Sequence, residues 1–436
     1  MKNKKTLRKI KIIIIIYLTI SSVIDVNAQC PSTKYGIVPV WPQGWSYTDK
    51  ENWYQMMSDK GMGYSHSILT WPELKNIQSN RQLSSYINYI AHLKNEYNFK
   101  YHLLIRNPST TVNPVPAAYT GLNFEDPVLT NAFYNFATEI IDSFAGVLDY
   151  LTIGGESDIY FNAYPNEIDE YVNLLSDIAT YVDDNYPSTK FATVLTFEHG
   201  IQSNDTLWQL TKSFSDMLAI TYWPLNSNFT IIPTAVTDIQ NNITDLLIAA
   251  DGKPVIIKES GLPSSTLLNS SETIQAQFVE ELFRQTININ QIEIVGWDFL
   301  ADYDKATVDY WVNFQQIYTP EFRAYIETIG LMDTLSNQKP AYNTYLQMLD
   351  TICSQTTLNQ IEQSNNITIY PNPVNNIINI EYDKEFIMEI FDVTGKKVLT
   401  SNLRQLNISV LKSGTYIVLI KSKDGVLMKL EKMIKE

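Results

Sequence analysis

Short β-rich runs alternate with longer amphipathic stretches from Thr33 to Leu349, and this alternation limits the fold more than any other feature of the chain. Strands that alternate with helices predict βα units and a parallel sheet. Eight such runs in about 320 residues predict an α/β fold, a closed (β/α)8 TIM barrel over residues 33–350. An open, doubly wound sheet is the alternative, although no glycine-rich phosphate loop follows the first run. The runs occupy residues 35–41, 63–71, 100–107, 148–156, 190–198, 216–224, 253–259 and 293–301.

The N-terminus has the composition of an export signal. Basic residues crowd its start, the apolar run IIIIIYLTI follows, and the small residues of VNA offer a cleavage site. We therefore predict a signal peptide over residues 1–28 and no stable membrane span after its removal. A membrane anchor is the alternative, although the apolar run is short for the roughly 20 residues that cross a bilayer. After export, Cys30 and Cys353 can pair in a disulfide or remain free thiols.

The composition and periodicity of the chain change after Cys353. Residues 351–366 are polar and lack apolar periodicity, which predicts a linker. Over residues 367–436, strand-like runs follow one another without helices, and turn pairs such as Thr394-Gly395 and Ser413-Gly414 separate them. This pattern predicts a small all-β, sandwich-like C-terminal domain.

Three motifs of this C-terminal segment occur in a characteristic order: IYPNPVNNIINI, then IFDVTGKKV, then SGTYIVLIKSKDGVLMKLEKMIK. The segment resembles the C-terminal sorting domain of the type IX secretion system, which is known from the Bacteroidetes. The resemblance implies the type IX machinery as a partner, passage through the periplasm and outer membrane, and a secreted or cell-surface location. An accessory β domain, such as a carbohydrate-binding module, is the alternative.

Two carboxylates stand at the ends of predicted strands. Glu156 ends the fourth run and Glu259 ends the seventh. Functional residues of a TIM barrel collect at the carboxyl ends of its strands, so both side chains are expected at one barrel mouth. Strand alternation places Glu259 on the same face as Val255 and Ile257, which we interpret as the inward face. Two carboxylates that face one cavity are what glycoside hydrolysis requires, one as the acid and the other as nucleophile or base.

This arrangement resembles the clan A retaining glycoside hydrolases. The resemblance implies that Glu156 is the acid/base and Glu259 the nucleophile. It also implies that Trp297, at the end of the eighth run, stacks on a sugar and that Tyr222 lies near the nucleophile. The sequence departs from the clan at Gly155, because the clan usually has an asparagine directly before the acid/base to bind the sugar 2-hydroxyl.

Other strand ends carry side chains that could supply the missing hydrogen bond, namely Arg106, Asn107 and His66. Trp41 is a further candidate for a sugar-binding subsite, and the pair Glu198-His199 could assist the two glutamates or compete with them. We predict no metal and no cofactor. The four histidines are scattered, and the acidic residues after Trp297 lack the spacing of a calcium loop.

Together these features predict a secreted glycoside hydrolase that cleaves a polysaccharide or oligosaccharide by a retaining, two-glutamate mechanism. The formal net charge of -15 argues against a nucleic-acid partner, because phosphates require a basic face. Two alternatives stay open. The barrel could bind carbohydrate without cleaving it, as Gly155 suggests, or the chain could be a cell-surface interaction protein that uses the export domain alone.

Overall fold

The computed structural model describes residues 33–203, 206–362, 367–393, 395–422 and 427–436. The described residues divide into two compact units, one up to Asp350 and one from Thr351 onward. The predicted signal peptide and Cys30 lie outside the described residues, whereas Cys353 is described and carries no free thiol. A search of the described helices finds no stretch that is both long enough and apolar enough to cross a bilayer.

The first unit is a nine-stranded parallel sheet in the order β5-β4-β3-β2-β1-β9-β8-β7-β6. The order begins and ends on β5 and β6, which only Thr193 separates along the chain, so the sheet closes on itself. The predicted (β/α)8 barrel is therefore confirmed, with its fifth run split in two. The strands are β1 (Tyr35–Ile37), β2 (Tyr64–Leu69), β3 (Lys100–Ser109), β4 (Tyr150–Gly155), β5 (Lys190–Ala192), β6 (Val194–Thr196), β7 (Leu218–Tyr222), β8 (Val255–Ser260) and β9 (Ile292–Trp297).

Helices connect the strands, and local capping residues fix where several of them begin. Thr70 and Glu73 cap each other reciprocally through side chain and backbone, which starts the second helix. Pro127 stands in the first turn after the Asp126 cap and starts the fourth. The helices are α1 (Tyr47–Asp59), α2 (Trp71–Ser79), α3 (Leu83–Tyr97), α4 (Pro127–Ser143), α5 (Ser157–Ala163), α6 (Ile168–Asn185), α7 (Thr206–Thr211), α8 (Ile239–Ala250), α9 (Glu272–Thr286), α10 (Lys305–Gln315), α11 (Pro320–Glu327) and α12 (Pro340–Glu362). The last helix extends into residues 351–362, where the sequence predicts a linker.

Side chains from strands β2 to β9 meet in the interior of the barrel. Because Ile256 belongs to this interior set, alternation turns its neighbours Val255 and Ile257 toward the helices. The prediction that Glu259 shares an inward face with those two residues is therefore wrong, and another feature must bring its carboxylate to the barrel mouth. The interior set comprises Tyr64, Leu104, Tyr150, Ala192, Val194, Met217, Ala219, Ile256 and Ile294.

The second unit contains two antiparallel sheets, in the orders β10-β11-β14 and β13-β12-β15-β16. Apolar residues from both sheets form one core, with Ile378 and Ile380 from the first sheet and Ile390 and Val418 from the second. The predicted all-β, sandwich-like domain is thus confirmed. Its strands are β10 (Thr368–Tyr370), β11 (Ile377–Glu381), β12 (Ile387–Asp392), β13 (Lys397–Ser401), β14 (Gln405–Asn407), β15 (Gly414–Lys421) and β16 (Leu427–Lys435).

Candidate active site

A cavity of about 410 Å³ opens where the barrel strands end. Both predicted carboxylates, Glu156 and Glu259, line it. This is the end of a TIM barrel at which functional side chains collect. The other polar side chains around the cavity are Arg106, Thr110, Thr111, Thr196, Glu198, His199, Thr221, Asn226, Ser227, Lys258, Asp298 and Gln315.

Glu156 follows β4 directly and starts α5 in the left-handed backbone region, with φ 55° and ψ 49°. This conformation is uncommon for a glutamate and costs about 1–3 kcal/mol, so the surrounding structure must hold it. Two hydroxyls fix its carboxylate: Thr110 Oγ1 donates to Oε2 at 2.7 Å, and Thr221 Oγ1 donates to Oε1 at 2.9 Å. The carboxylate is therefore oriented by two donors before any ligand arrives.

Glu259 reaches the cavity through a β-bulge. In the ladder between β7 and β8, Ile220 pairs with Ile257 but Thr221 pairs with Glu259. Lys258 is therefore an extra residue of β8 that has no partner on β7. An extra residue bends a strand and re-aims the side chains next to it. Both Lys258 and Glu259 consequently line the cavity. Thr221 donates to Glu156 and pairs with Glu259 in the sheet, so the two carboxylates flank the end of β7.

Lys258 is a buried cation beside Glu259. Its side chain is fully buried, and its Nζ contacts Glu259 Oε1 as an ion pair. Burial lowers the pKa of Lys258 to about 7, against the opposing attraction of the Asp298 carboxylate. Burial raises the pKa of Asp298 to about 7, and the charge on Lys258 opposes that rise. The ammonium group favours the ionised form of Glu259, because an adjacent opposite charge stabilises a carboxylate.

His66 completes a cluster with Glu259 and Asp298, whose ligand atoms all lie within 4.8 Å of one another. Its Nε2 is 3.9 Å from Asp298 Oδ1, and neither ring nitrogen has a hydrogen-bond partner among the described residues. Burial, with help from the charge on Lys258, holds the pKa of His66 well below its ordinary value, so the ring is neutral. Such a set could hold a cation, but Lys258 already brings a positive charge to Glu259.

Glu198 is a third carboxyl group in the cavity. It lies in the helical turn Phe197–Ile201 that follows β6, and its Oε1 is buried without a hydrogen-bond partner among the described residues. Burial raises the pKa of Glu198 well above its ordinary value, and repulsion from Glu156 adds to this rise. Glu198 is therefore a carboxyl group whose charged form is disfavoured by burial, and it lies in the same cavity as Glu156 and Glu259. His199, the other member of this pair, lines the cavity at its exposed rim.

Aromatic rings form one wall of the cavity. Trp223 and Tyr325 meet edge to face with ring centroids 5.4 Å apart. Gly261 leaves space for this wall, because a Cβ at that position would lie 2.6 Å from Trp223 Cζ3. Flat apolar rings of this kind suit ligands with an apolar face and a polar edge. The aromatic lining residues are Trp223, Phe229, Phe299, Tyr303, Trp311, Phe322 and Tyr325.

Trp297 and Tyr222 do not line the cavity, contrary to the prediction. Both pack behind the sheet against Phe278 of α9, with ring centroids 6.1 Å and 5.8 Å from it. The Tyr222 hydroxyl accepts a hydrogen bond from Asn242 of α8 at 2.8 Å. The reason is strand alternation: these rings occupy outward positions, and the cavity receives the next residue, Trp223, in place of Tyr222.

Trp41 and Asn107 are also structural. Trp41 packs edge to face on Trp53 and Tyr54, away from the cavity. Asn107 is buried, and its Oδ1 accepts from the backbone N–H of Trp71 at 2.8 Å. Its amide therefore joins the end of β3 to the start of α2. His66 lies beside Glu259 as described, and Arg106 is the remaining predicted residue that lines the cavity.

Sequence reasoning missed the groups that support the two glutamates. Lys258 was visible as a charge within an apolar run, a signal that indicates a buried ion pair as readily as a strand end. Thr110, Thr221 and Trp311 carry no such signal, since threonines and aromatic residues are common throughout the chain. Their roles depend on which strands and helices are neighbours in space.

Comparison of the fold with solved structures finds similar barrels at low sequence identity. A GH5_18 protein from Bifidobacterium longum subsp. infantis matches with 15% identity and a TM-score of 0.57, covering 74% of this chain and 79% of that one. A variant of GH5_18 from Streptomyces cattleya in complex with Manβ1-4GlcNAc matches with 13% identity and a TM-score of 0.57, over 73% and 80%. An exo-β-1,4-mannosidase from Opitutaceae bacterium strain TAV5 matches with 14% identity and a TM-score of 0.55, over 81% and 64%.

Sequence comparison identifies the C-terminal unit. Residues 368–436 match the family model of the secretion system C-terminal sorting domain, which indicates export through the outer membrane to a secreted or surface-attached location. A search of curated protein sequences finds no significant match. The chain thus combines a barrel with the fold of clan A glycoside hydrolases and a C-terminal sorting domain of the type IX secretion system.

Proposed function

We propose that the barrel hydrolyses glycosidic bonds of a polysaccharide or oligosaccharide with retention of configuration at the anomeric carbon. One observation carries the proposal: Glu156 and Glu259 line one cavity and are held by different partners. Two hydroxyls orient Glu156, whereas an ammonium group contacts Glu259. Two carboxyls in unlike surroundings can take unlike protonation states, which is the requirement for acid and nucleophile.

In the proposed reaction Glu259 attacks the anomeric carbon and forms a covalent glycosyl-enzyme. Lys258 keeps the attacking carboxylate ionised. Glu156 donates a proton to the glycosidic oxygen as that bond breaks, and then removes a proton from the water that hydrolyses the intermediate. The hydroxyls of Thr110 and Thr221 hold Glu156 in one orientation through both steps, as a positioned acid and base requires.

The comparisons support this proposal at the level of the fold. Two of the similar barrels are a mannosidase and a protein in complex with Manβ1-4GlcNAc. β-Linked mannosides therefore belong in the panel of glycans that tests the proposal. The aromatic wall that includes Trp223 and Tyr325 supports a sugar ligand independently of those similarities.

The test is the stereochemistry of the product. NMR of the sugar released at early times should show the same anomeric configuration as the substrate. Glu156→Ala should retain more activity on aryl glycosides with good leaving groups than on natural linkages, because such groups need no proton. Added azide should then yield a glycosyl azide of retained configuration. Inverted product would exclude the retaining mechanism, and glycan binding without turnover would identify a carbohydrate-binding barrel.

We also propose a division of labour along the chain. Residues 33–350 carry the hydrolytic site, and residues 367–436 direct export through the type IX machinery. Removing residues 367–436 should leave the protein in the periplasm of its native host, while the purified barrel keeps its activity. Normal delivery of the truncated protein to the surface would contradict this division.

A further inference from the structure

Arg106 occupies the space beside Glu156. It follows the interior residue Leu104 on β3, and its stem lies against Gly155, the residue before Glu156. A Cβ at Gly155 would be 3.0 Å from Arg106 Cγ and 3.7 Å from its Cδ. Gly155 therefore leaves this space to the stem of Arg106, which a Cβ at position 155 would push aside by a few tenths of an ångström.

The guanidinium group of Arg106 rests on an aromatic ring. Its central carbon lies 4.9 Å from the centroid of the Trp311 ring on α10, a cation–π distance. Both side chains line the cavity. The ring packs against the guanidinium group and helps to hold this cation in the cavity.

No carboxylate or other acceptor among the described residues forms a hydrogen bond or an ion pair with this guanidinium group, although it has five N–H donors. The other cation of the cavity, Lys258, is buried and contacts Glu259. The two arginines of the barrel helices α9 and α11 are also paired, Arg284 with Glu280 and Arg323 with Asp309, each at 2.6 Å. Asp298 feels the charge of Arg106 but forms no ion pair with it. In a chain with a formal net charge of -15, an arginine in a cavity without a hydrogen-bonded acidic partner indicates that a ligand supplies the acceptor.

The shape of the group indicates the kind of acceptor. A guanidinium fork matches a carboxylate with two parallel hydrogen bonds, and such charge-assisted pairs are roughly twice as strong as neutral ones. A sugar hydroxyl cannot match both donors in this way. Because Arg106 lies next to Glu156, the carboxylate would belong to a sugar unit at or beside the bond that is cleaved.

We propose that Arg106, supported by Trp311, binds the carboxylate of a uronic acid unit, so that the barrel prefers acidic glycans. This inference rests on the proposed hydrolase function and names the substrate class for that same site. Gly155 would then contribute to substrate specificity, because it leaves space for the arginine that binds the substrate carboxylate.

The experiment compares acidic oligosaccharides with their carboxyl-reduced counterparts. Oligosaccharides from glucuronoxylan, alginate and polygalacturonate would be assayed before and after carbodiimide-mediated reduction, beside neutral mannan and glucan oligosaccharides. Wild-type protein should cleave at least one acidic member with kcat/KM about 100-fold above its reduced counterpart, as expected for the loss of a hydrogen bond between charged groups. In Arg106→Met that ratio should fall close to one, and Gly155→Ala should lower it by displacing Arg106. Arg284→Met, on the exposed face of α9, is the matched control.

The outcomes separate the two proposals. Equal or greater cleavage of neutral and reduced glycans by the wild type would overturn this inference and leave the hydrolase proposal standing. An Arg106→Met variant that loses the same fraction of activity on acidic and reduced substrates would also overturn it. If no glycan is cleaved, the hydrolase proposal fails. The proposal that Arg106 binds a uronic acid is then tested by calorimetry with the same oligosaccharides. Acidic oligosaccharides should then bind wild-type protein and lose about 100-fold in affinity with Arg106→Met, and equal affinities would reject the site.

Discussion

The barrel and the sorting domain differ in how many charged side chains they bury. The described residues of the barrel bury charged or titratable side chains in several places, among them His66, Lys258, Asp298 and Lys339. Within the described residues of the sorting domain, Lys435 is the one charged side chain in the buried class, and the core is made of aliphatic and aromatic residues. Its ion pairs, such as Glu389 with Lys421, lie where solvent reaches at least one partner.

This difference fits the hydrolytic site that we propose for the barrel and the export role of the sorting domain. Burying a charge without good partners is costly, so it persists where a ligand or reaction uses it. His66 and Asp298, which have buried atoms without a hydrogen-bond partner among the described residues, cluster with Glu259, and Lys258 forms an ion pair with it. The sorting domain has no comparable cluster among its described residues, and its apolar core simply holds two sheets together.

The largest expected effect comes from the proposed nucleophile. Glu259→Gln should lower kcat by about 10⁴-fold or more while glycan binding stays, because the amide keeps the shape and cannot attack. Glu389→Gln makes the same substitution in the sorting domain and should leave kcat unchanged. Turnover by Glu259→Gln at the wild-type rate would mean that this carboxylate only ends a strand, and steady-state kinetics decides the matter.

The next effect concerns the stability of the barrel. Lys339 Nζ donates to Asp302 Oδ1 at 2.8 Å, and both side chains are at most 10% exposed. Lys339→Met should lower the free energy of unfolding by about 3–5 kcal/mol, because it leaves a buried carboxylate without its cation and with the Gly330 N–H as its remaining donor. Lys421→Met removes a half-exposed pair of the sorting domain and should cost less than about 1 kcal/mol. Denaturant titration measures the free energy of unfolding of both variants. Equal decreases would contradict the expected difference between the two ion pairs.

A smaller effect is expected at Lys258. Lys258→Met should lower kcat/KM by about 100-fold, since Glu259 loses the charge that favours its ionised form. The pKa of Lys258 is lowered to about 7, so its positive charge is present below that pH and is lost as the pH rises through it. Wild-type activity should therefore fall above about pH 7, and this alkaline limb should be absent from Lys258→Met. An unchanged pH profile in the variant would assign the limb to another group.

The smallest effect tests the apolar core of the sorting domain. Ile390 is fully buried between the two sheets. Ile390→Val should lower the stability of this domain by about 1 kcal/mol, from the lost methylene and the small cavity it leaves. Hydrolysis by the purified protein should not change. A parallel loss of kcat would show that the two units do not act independently, and thermal unfolding with an activity assay on the same samples measures both.

Much of the architecture could be read from the sequence because it depends on local pattern. The eight runs, the helices between them and the change of texture after Cys353 follow from the spacing of apolar residues. The positions of Glu156 and Glu259 at strand ends follow from the same reading. The continuation of α12 through residues 351–362 was not predicted, because that stretch is polar and has little apolar periodicity.

The details of the site depended on tertiary structure. A bulge adds one residue to a strand, so alternation counted across it assigns a side chain to the wrong face. Lys258 is such an extra residue, directly before Glu259. Alternation also failed for Trp297 and Tyr222, which pack against α9 behind the sheet.

The sequence by itself therefore determined the barrel, the sorting domain and the two carboxylates, since each is written in a local pattern or an ordered motif. Only the tertiary structure decided what surrounds those carboxylates. Lys258 and Asp298 interact electrostatically from the ends of neighbouring strands, and the stem of Arg106 lies against Gly155. Such contacts join residues far apart in the chain, and they depend on strand register and on bulges, which the periodicity of a single segment does not specify.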